Sequence, residues 1–334
     1  MKTGAASLAR IVVRLPNWLG DALMARPFAF ALRRAFPQAR VTAVGPAPLL
    51  DLLTADGLWE RAVSLDDPAA ALAAVRAERP EAALLCPPSF SSAWFAWRSG
   101  AHTRVGFRGD MREVLLTHAI ARPQRGESHL SREYLRLLEA VGQKPAVEVP
   151  RLLPPASAIG AARTLCGEGP YAILGPGAVY GPAKRWPAER FAAVARAFRE
   201  QGWRVLVCGA QADRDVCEEV TRCSGDGVPN MAGRTSLAIQ TALCANARVV
   251  VCNDSGLAHL SAATGAPTVC IFGSTSSAWT APLGPRVKVI QHPPVCSPCF
   301  QRTCRIGYGC LAAVAVSEVV RAAIAPASPS TEGA

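Results

Sequence analysis

The chain has 334 residues, of which 50% are hydrophobic and 18% are charged, with a formal net charge of +11. Its length suits two domains better than one core, and its hydrophobic content excludes a disordered chain. Arg, Asp or Pro interrupts every apolar run before it could cross a bilayer, and Arg10 and Arg14 break the N-terminal run that a signal peptide would need. We therefore expect a cytoplasmic protein without a transmembrane segment. The positive charge indicates an anionic partner, which leaves nucleic acid, a membrane surface and a phosphorylated substrate open.

The first half of the chain alternates short apolar runs with amphipathic stretches. Strands are predicted at 11–15, 41–45, 82–87 and 103–107, and helices at 21–36 and 131–142. Strands that alternate with helices favour a parallel sheet covered by helices on both faces. We therefore predict a Rossmann-like α/β domain over residues 8–155.

A Pro-rich stretch, KPAVEVPRLLPP (144–155), interrupts this pattern and is the predicted linker. Strands are predicted after it at 171–175, 204–209, 248–254 and 267–273, and helices at 187–202, 236–247, 256–265 and 316–325. This alternation predicts a second doubly wound domain over 156–325, followed by a disordered tail at 326–334. Because open parallel sheets bind ligands at the carboxyl ends of their strands, the residues that follow strands are the candidates for chemistry, at a cleft between the domains.

The segment PNWLGDAL (16–23) follows the first strand. Gly20 permits a close backbone approach, and Asp21 begins the predicted helix. Asp is a favoured N-cap residue, so a helix cap is the structural interpretation. The functional interpretation is a general base that takes a proton from an attacking hydroxyl.

The segment LGPGAVYGPAKRWP (174–187) follows the first strand of the second domain. Gly175 and Gly177 can bring backbone N–H groups close to phosphates, and Lys184 adds a positive charge. The spacing matches neither the phosphate loop of nucleotide triphosphatases nor the dinucleotide fingerprint. An ordinary Gly/Pro loop with a solvated Lys-Arg pair is the alternative.

The segment NDSGLAHL (253–260) leads from an apolar strand into a helix. Ser255 and Gly256 lie at the turn, where backbone donors and the helix dipole suit a pyrophosphate, and His259 one turn later adds a donor. Asp254 would repel a phosphate, so we expect it to bind a sugar hydroxyl or to cap the helix. A structural role for His259 is the alternative.

Four of the twelve cysteines cluster near the C-terminus, at Cys296, Cys299, Cys304 and Cys310. In a reducing compartment such a cluster favours a structural zinc or iron site over disulfides, with free thiols in a surface loop as the alternative. Cys208, Cys252 and Cys270 lie inside apolar strands and are predicted to be small core residues.

Arginines outnumber acids in one stretch of the first domain. Most are expected to be solvated, while a subset could hold an anionic acceptor or lie against an anionic bilayer. The aromatic interleaving of single-strand nucleic-acid platforms is absent, so no nucleic-acid partner is expected. These arginines are Arg98, Arg104, Arg108, Arg112, Arg122, Arg125, Arg132 and Arg136.

The combination and order of RLPNWLGDALMARP, GPGAVYGPAKRWP, NMAGRTSL, NDSGLAHLSAATGAPTVCIFG and CSPCFQRTC resembles the ADP-heptose:lipopolysaccharide heptosyltransferase family, glycosyltransferase family 9, in its heptosyltransferase II branch. The resemblance spans residues 10 to about 325. It implies the GT-B fold, with two Rossmann-like doubly wound domains facing a central cleft. The N-terminal domain would bind the acceptor and the C-terminal domain the ADP-sugar.

The resemblance also implies roles for individual residues. Asp21 matches the family's proposed base, and Lys184 matches the lysine near the donor phosphates. Asp213 lies where relatives place an acidic donor contact. The donor-binding turn is matched by Asp254, Ser255, Gly256 and His259.

The activity implied by the resemblance is inverting transfer of heptose from ADP-L-glycero-D-manno-heptose to heptose-Kdo-lipid A of the lipopolysaccharide inner core. No cofactor is required for the transfer, and the protein would work in the cytoplasm, with a peripheral position on the inner leaflet of the inner membrane as an option. The alternatives are an ADP-heptose transferase for another core sugar or a protein, a non-catalytic nucleotide-binding protein, and a Rossmann-type oxidoreductase. The missing dinucleotide fingerprint disfavours the oxidoreductase.

Overall fold

The computed structural model describes residues 8–145 and 150–325. They divide between Pro150 and Arg151 into two compact units, whereas the sequence pattern placed the boundary after residue 155. Arg151 belongs to the second unit because its guanidinium donates to the carbonyl of Thr264, and the Leu152 amide likewise donates to the carbonyl of Ala263 at 2.8 Å. Part of the predicted linker, 146–149, and the predicted disordered tail lie outside the described residues.

The first unit contains a parallel six-stranded sheet in the order β3-β2-β1-β4-β5-β6. The strand order reverses between β1 and β4, which is the place where open α/β sheets bind ligands. The strands are β1 (Arg10–Arg14), β2 (Arg40–Gly45), β3 (Arg61–Ser64), β4 (Ala82–Leu85), β5 (Thr103–Phe107) and β6 (His118–Ile120). The sequence pattern missed β3 and β6 because both are short and partly exposed, so neither forms a continuous apolar run.

Helices connect these strands. They are α1 (Leu19–Met24), α2 (Arg26–Ala35), α3 (Ala47–Thr54), α4 (Pro68–Ala77), α5 (Phe90–Arg98) and α6 (Leu130–Glu139), with a 3₁₀ turn at Arg112–Leu115. The single helix predicted over 21–36 is two helices that meet at Ala25. Pro27 explains the break, because proline lacks an amide hydrogen and is tolerated only in the first turn of a helix.

The second unit contains a parallel five-stranded sheet in the order β11-β10-β9-β7-β8. The strands are β7 (Tyr171–Gly175), β8 (Arg204–Val207), β9 (Val249–Asn253), β10 (Thr268–Phe272) and β11 (Val287–Gln291). The residues of β7, β9 and β10 are buried throughout, as strands covered on both faces are. The order reverses between β7 and β9, so the ligand-binding edge lies where the two glycine-containing segments begin.

Helices cover both faces of this second sheet. One face packs against Phe191 and Phe198 of α8 and Val319 of α14, and the other against Ala162 of α7 and Leu243 of α10. Cys208, Cys252 and Cys270 are buried among these groups, which confirms their predicted place in the core. The helices are α7 (Ala156–Cys166), α8 (Ala188–Glu200), α9 (Arg214–Ser224), α10 (Leu237–Asn246), α11 (Gly256–Ala263), α12 (Ser277–Thr280), α13 (Gly309–Ala312) and α14 (Val316–Ile324).

We find no helix among residues 8–145 and 150–325 with the length and hydropathy that crossing a bilayer requires.

Candidate active site

Asp21 lies in the first turn of α1, directly after β1. The helix begins at Leu19 with Trp18 in the N-cap position, so Asp21 is the third helical residue and not the cap that the structural interpretation required. Its carboxylate still lies near the positive end of the helix dipole, which favours the charged form. Asp21 is half-buried and Gly20 beside it is partly exposed, so the carboxylate is placed at the switch in strand order and remains accessible.

Arg14, the last residue of β1, fixes the turn that leads to Asp21. Its guanidinium donates to the carbonyl of Leu15 and to the Asn17 side chain, the second bond being 2.6 Å long. Burial lowers the pKa of Arg14 to about 10, which still leaves it charged at neutral pH. The sequence analysis treated Arg14 only as an interruption in an apolar run. The pattern of apolar and polar residues does not show which groups Arg14 binds.

Two groups lie within electrostatic range of the Asp21 carboxylate. Burial and then the charge of Asp21 raise the pKa of Tyr134 on α6 well above its ordinary value. Burial raises the pKa of Cys86, just after β4, and Asp21 adds to the increase. Asp21 therefore lies near the ends of both strands that flank the switch, next to groups that do not compete with it for a proton.

Lys184 and Asp254 form an ion pair in the second unit. Lys184 ends a 3₁₀ turn at Pro182–Lys184, and its Nζ lies 2.5 Å from Oδ2 of Asp254, which is itself buried. The Thr275 hydroxyl donates to the same oxygen at 2.6 Å. Asp254 is not the helix cap, because Ser255 occupies the N-cap position of α11. Lys184 and Thr275 contact only Oδ2 of Asp254, and its expected role as a sugar ligand stays a prediction.

Asn253 holds the two glycine-containing segments together. It is fully buried at the end of β9, where its side chain accepts a hydrogen bond from the Trp186 amide at 3.0 Å. Its amide group donates to the carbonyl of Pro176 at 2.7 Å. The sequence analysis gave this residue no role, although a buried amide at the end of an apolar strand was the available signal.

Gly175 and Gly177 are required by packing as well as by any ligand. A Cβ on Gly175 would lie 2.6 Å from Cδ2 of Leu257, and one on Gly177 would lie 2.2 Å from Cγ of Asp213. The Asp213 carboxylate therefore packs directly against the loop that follows β7. Burial raises the pKa of Asp213. A hydrogen bond donated by the Ala210 amide and the charge of Arg185 oppose that increase.

Asp213 and Asp215 lie in different surroundings. Asp213 is buried in the turn before α9, whereas Asp215 lies in the first turn of that helix and lines a surface pocket with Glu219 and Tyr308. Oδ1 of Asp213 is buried without a hydrogen-bond partner, and the Arg185 guanidinium lies 4.0 Å from it.

The N-terminus of α11 lies directly after Asp254. Ser255 occupies the N-cap position with extended backbone and makes no side-chain cap bond, so its hydroxyl does not occupy the first amide groups of the helix that Gly256 begins. Such amide groups are an anion-binding arrangement. His259 lies one turn later and is buried, with 5% exposure.

The cysteine-containing segment contacts the loop of Lys184. The Ala183 amide donates to the carbonyl of Arg302 at 3.0 Å, and the Tyr180 hydroxyl donates to the carbonyl of Phe300. Lys184 Nζ lies 4.8 Å and Arg302 Cζ 5.5 Å from the centre of the Tyr180 ring. The segment therefore places a second cation, Arg302, against the Tyr180 ring that Lys184 also contacts, which the sequence analysis did not anticipate.

The metal centre predicted at the four cysteines stays a prediction. Within the described residues, no three His, Cys, Asp or Glu side chains are arranged to hold a metal ion. Cys296 is exposed, and Sγ of Cys304 accepts amide hydrogen bonds from Ile306 and Tyr308 at 3.4 and 3.3 Å. These bonds lower the pKa of Cys304, which favours its thiolate form.

Comparison with known proteins decides the class of this site. The model of glycosyltransferase family 9 (heptosyltransferase) matches residues 69–308, which is more than half of the chain. The chain belongs to glycosyltransferase family 9. Lys184, Asp213 and the Asp254 turn lie inside the matched region, whereas Asp21 precedes it.

Similar proteins in the family are heptosyltransferases. The chain is 29% identical to lipopolysaccharide heptosyltransferase 2 of Escherichia coli K12, with 84% of this chain and 88% of the relative covered. It is 28% identical to lipooligosaccharide heptosyltransferase 2 of Haemophilus influenzae at the same coverage. Its resemblance to the heptosyltransferase II branch, and its assignment to a transferase, are therefore confirmed.

Solved structures agree with the fold. ADP-heptose lipopolysaccharide heptosyltransferase II of Escherichia coli superposes with a TM-score of 0.80 at 26% identity, covering 94% of this chain and 97% of that one. A family 9 glycosyltransferase of Veillonella parvula gives a TM-score of 0.81 at 21% identity, covering 95% and 97%, which supports the fold alone. The predicted α/β fold with two Rossmann-like domains, as in the GT-B class of glycosyltransferases, is confirmed.

Proposed function

We propose that this chain transfers heptose from ADP-L-glycero-D-manno-heptose to the inner core of lipopolysaccharide, with heptose-Kdo-lipid A as the acceptor. The observation that carries the proposal is the group of residues after β7 and β9. There Lys184, the amide groups at the start of α11 and the neighbouring Arg302 provide positive charge at the switch in strand order. Family membership supplies the sugar class.

The diphosphate of the donor would bind between Lys184 and the first turn of α11. As the bond between the anomeric carbon and the departing oxygen breaks, negative charge develops on ADP. Lys184 and the amide groups of α11 stabilise that charge. Donors that are fixed in place before the reaction stabilise the transition state most, because they need no reorganisation. Asp254 and Thr275 hold the lysine in position through the contacts described above.

The acceptor hydroxyl would attack the same carbon from the opposite face. Asp21 takes the hydroxyl proton as the new carbon–oxygen bond forms, so the proton passes to the carboxylate and the electron pair of the broken bond leaves with ADP. One displacement inverts the anomeric configuration. Cys86 and Tyr134 stay protonated beside Asp21, which leaves the carboxylate as the base at this edge.

The transfer requires no metal or organic cofactor in this proposal. Lys184, Arg302 and a helix N-terminus provide the charge that a divalent ion provides in transferases with an Asp-x-Asp pair. We expect a chelator such as EDTA to leave the initial rate unchanged. A loss of activity that added Mg²⁺ or Mn²⁺ restores would contradict this part of the proposal.

The site of action would be the cytoplasmic face of the inner membrane, where the lipid-linked acceptor is held in the leaflet. The decisive experiment combines the purified chain with ADP-heptose and a set of defined truncated lipopolysaccharides, followed by mass spectrometry of the products. We expect one added heptose on the acceptor that carries Kdo and one heptose, and none on Kdo-lipid A. Transfer to a different core sugar or to a protein would replace the acceptor, and no turnover with any acceptor would favour a non-catalytic nucleotide-binding protein.

A further inference from the structure

An apolar patch lies on the surface of the first unit. Among the described residues of this unit, six large apolar side chains are exposed, and five of them occur within residues 90–114, Trp18 being the sixth. Large exposed apolar patches mark interaction surfaces. The five residues, called the aromatic patch below, are Phe90, Trp94, Trp97, Met111 and Val114.

Three rings of the aromatic patch form a stripe along α5. Phe90, Trp94 and Trp97 are spaced by four and three residues, so they share one side of the helix. The ring centres of Phe90 and Trp94 are 6.3 Å apart, and those of Trp94 and Trp97 are 5.0 Å apart. The other side of α5 buries Ala93 and Ala96 in the core. The helix thus buries its small residues and exposes its largest ones, the opposite of what core packing favours.

Met111 and Val114 stand on a neighbouring segment that is fixed to the start of α5. The fully buried Arg112 between them donates to the carbonyls of Pro87 and Ser89, at 2.6 and 3.0 Å. Met111 is 85% exposed and Val114 is 86% exposed. The backbone of Met111 has a φ of 53°, a left-handed conformation that a side-chain-bearing residue adopts only when its surroundings impose it. A buried arginine and a strained turn therefore hold these apolar side chains in the solvent.

Two exposed arginines and the exposed Asp110 flank the aromatic patch. Arg98 follows Trp94 by one helical turn and is exposed, and Arg108 is exposed just before Met111. The nearby Glu113 accepts an amide hydrogen bond from Gly109 and lies in the field of Arg108, so its charge is locally compensated. Tryptophan with arginine is the combination that favours the boundary between lipid headgroups and acyl chains.

We propose that the aromatic patch docks the first unit on an anionic lipid bilayer. The inference rests on the proposed function, in which the acceptor is anchored in such a bilayer. The tryptophans insert at the level of the headgroups, and Arg98 and Arg108 bind lipid phosphates. Docking concentrates the enzyme at the surface where the acceptor is found and orients the unit that carries Asp21.

Vesicle binding tests the surface directly. We expect the full chain to co-sediment with vesicles of phosphatidylethanolamine and phosphatidylglycerol, and to bind pure phosphatidylcholine vesicles more weakly. The double variant Trp94→Ser/Trp97→Ser should lose at least about tenfold in affinity, because two large apolar side chains no longer leave water. The variant Val295→Ser, which removes an exposed apolar side chain in the second unit, should bind as the wild type does.

A comparison of two acceptors separates this proposal from the proposed function. With the acceptor embedded in vesicles, Trp94→Ser/Trp97→Ser should raise KM at least about tenfold, and with a deacylated water-soluble acceptor it should leave kcat and KM unchanged. Equal vesicle binding by wild type and variant, or loss of self-association in gel filtration as the only effect, would overturn the docking proposal. If the wild type transfers to neither acceptor while vesicle binding still depends on Trp94 and Trp97, the proposed function fails and the docking surface stands.

Discussion

The two switch points of this chain are built differently. In the second unit, Lys184 and Thr275 both contact Asp254, and Asn253 joins the segments that carry Lys184 and Asp254. In the first unit, Asp21 occupies a short helix whose preceding turn is held by Arg14. The difference shows that a functional side chain can either contribute to the stability of the fold, as Lys184 does, or have little part in it, as we expect for Asp21. We expect substitutions in the first unit to remove chemistry alone, and substitutions in the second to affect chemistry and stability together.

Asp21→Asn should have the largest effect on activity. It keeps the shape of the side chain and removes the base, so we expect kcat to fall by about 10²–10⁴-fold. Affinity for ADP-heptose, measured by calorimetry, and Tm should remain close to those of the wild type. Asp66→Asn, an exposed carboxylate of the same unit, is the matched control. Residual kcat above a tenth of the wild-type value would remove Asp21 from the role of base.

Lys184→Met should reduce kcat/KM for the donor by about 10²-fold, because it removes a charge that faces the leaving diphosphate. It should also lower the stability of the fold by about 3–5 kcal/mol, since Asp254 remains buried without its partner. The double variant Lys184→Met/Asp254→Asn should regain Tm without regaining transfer. Lys144→Met, at an exposed lysine, provides the control. Recovery of both properties in the double variant would show that the lysine is structural.

Gly177→Ala tests how tightly the loop after β7 packs against Asp213. The added methyl group would lie 2.2 Å from Cγ of that carboxylate, and overpacking of this kind costs about 1–3 kcal/mol in the free energy of unfolding. Urea denaturation should show the loss. The double variant Gly177→Ala/Asp213→Ala should recover most of the lost free energy of unfolding. If the effects of the two substitutions on this free energy simply add, the loop adapts to the methyl group.

Arg302→Ala should have a modest effect, because this side chain is exposed and its charge is screened. We expect KM for ADP-heptose to rise by several-fold, about 1 kcal/mol or less in binding, and the effect to shrink as salt is added. Arg305→Ala, an exposed arginine three residues further along the same segment, should leave KM unchanged. Equal effects of the two variants would indicate a general contribution of net charge.

Asp213→Asn should change the pH dependence of stability. Burial raises the pKa of Asp213 in the folded protein above its unfolded value, so its charged form destabilises the fold at pH values above the raised pKa. The Tm of the variant should therefore exceed that of the wild type at neutral pH. As the pH falls toward about 4, the ordinary value for aspartate, the wild-type carboxyl becomes protonated and the two Tm values should converge. A constant difference across this range would contradict the assignment.

The sequence predicted the features that depend on local pattern. The buried strands β7, β9 and β10 were found because both of their faces are apolar, and the positions of Asp21, Lys184 and the Asp254 turn followed from the rule that ligands bind after such strands. The edge strands β3 and β6 were missed because half-exposed short strands lack that pattern.

What the sequence could not provide was the pairing of side chains that lie far apart along the chain. Thr275 lies 21 residues from Asp254, and Arg302 contacts a loop more than a hundred residues earlier. The zinc or iron site expected at the four cysteines was inferred from their clustering in a chain expected in a reducing compartment, and it stays a prediction. The roles of the site residues in catalysis stay predictions until the variants above are measured.

The hydrogen bonds of Ala183 have a consequence for synthesis of the chain. Its amide binds the carbonyl of Arg302 and its carbonyl binds the amide of Ser274, so the turn that carries Lys184 is completed only by residues made much later. A nascent chain released from the ribosome exit tunnel as far as β9 has the lysine but lacks its two supports. The turn that carries Lys184 is therefore completed late in translation, after Ser274 and Arg302 have been synthesised.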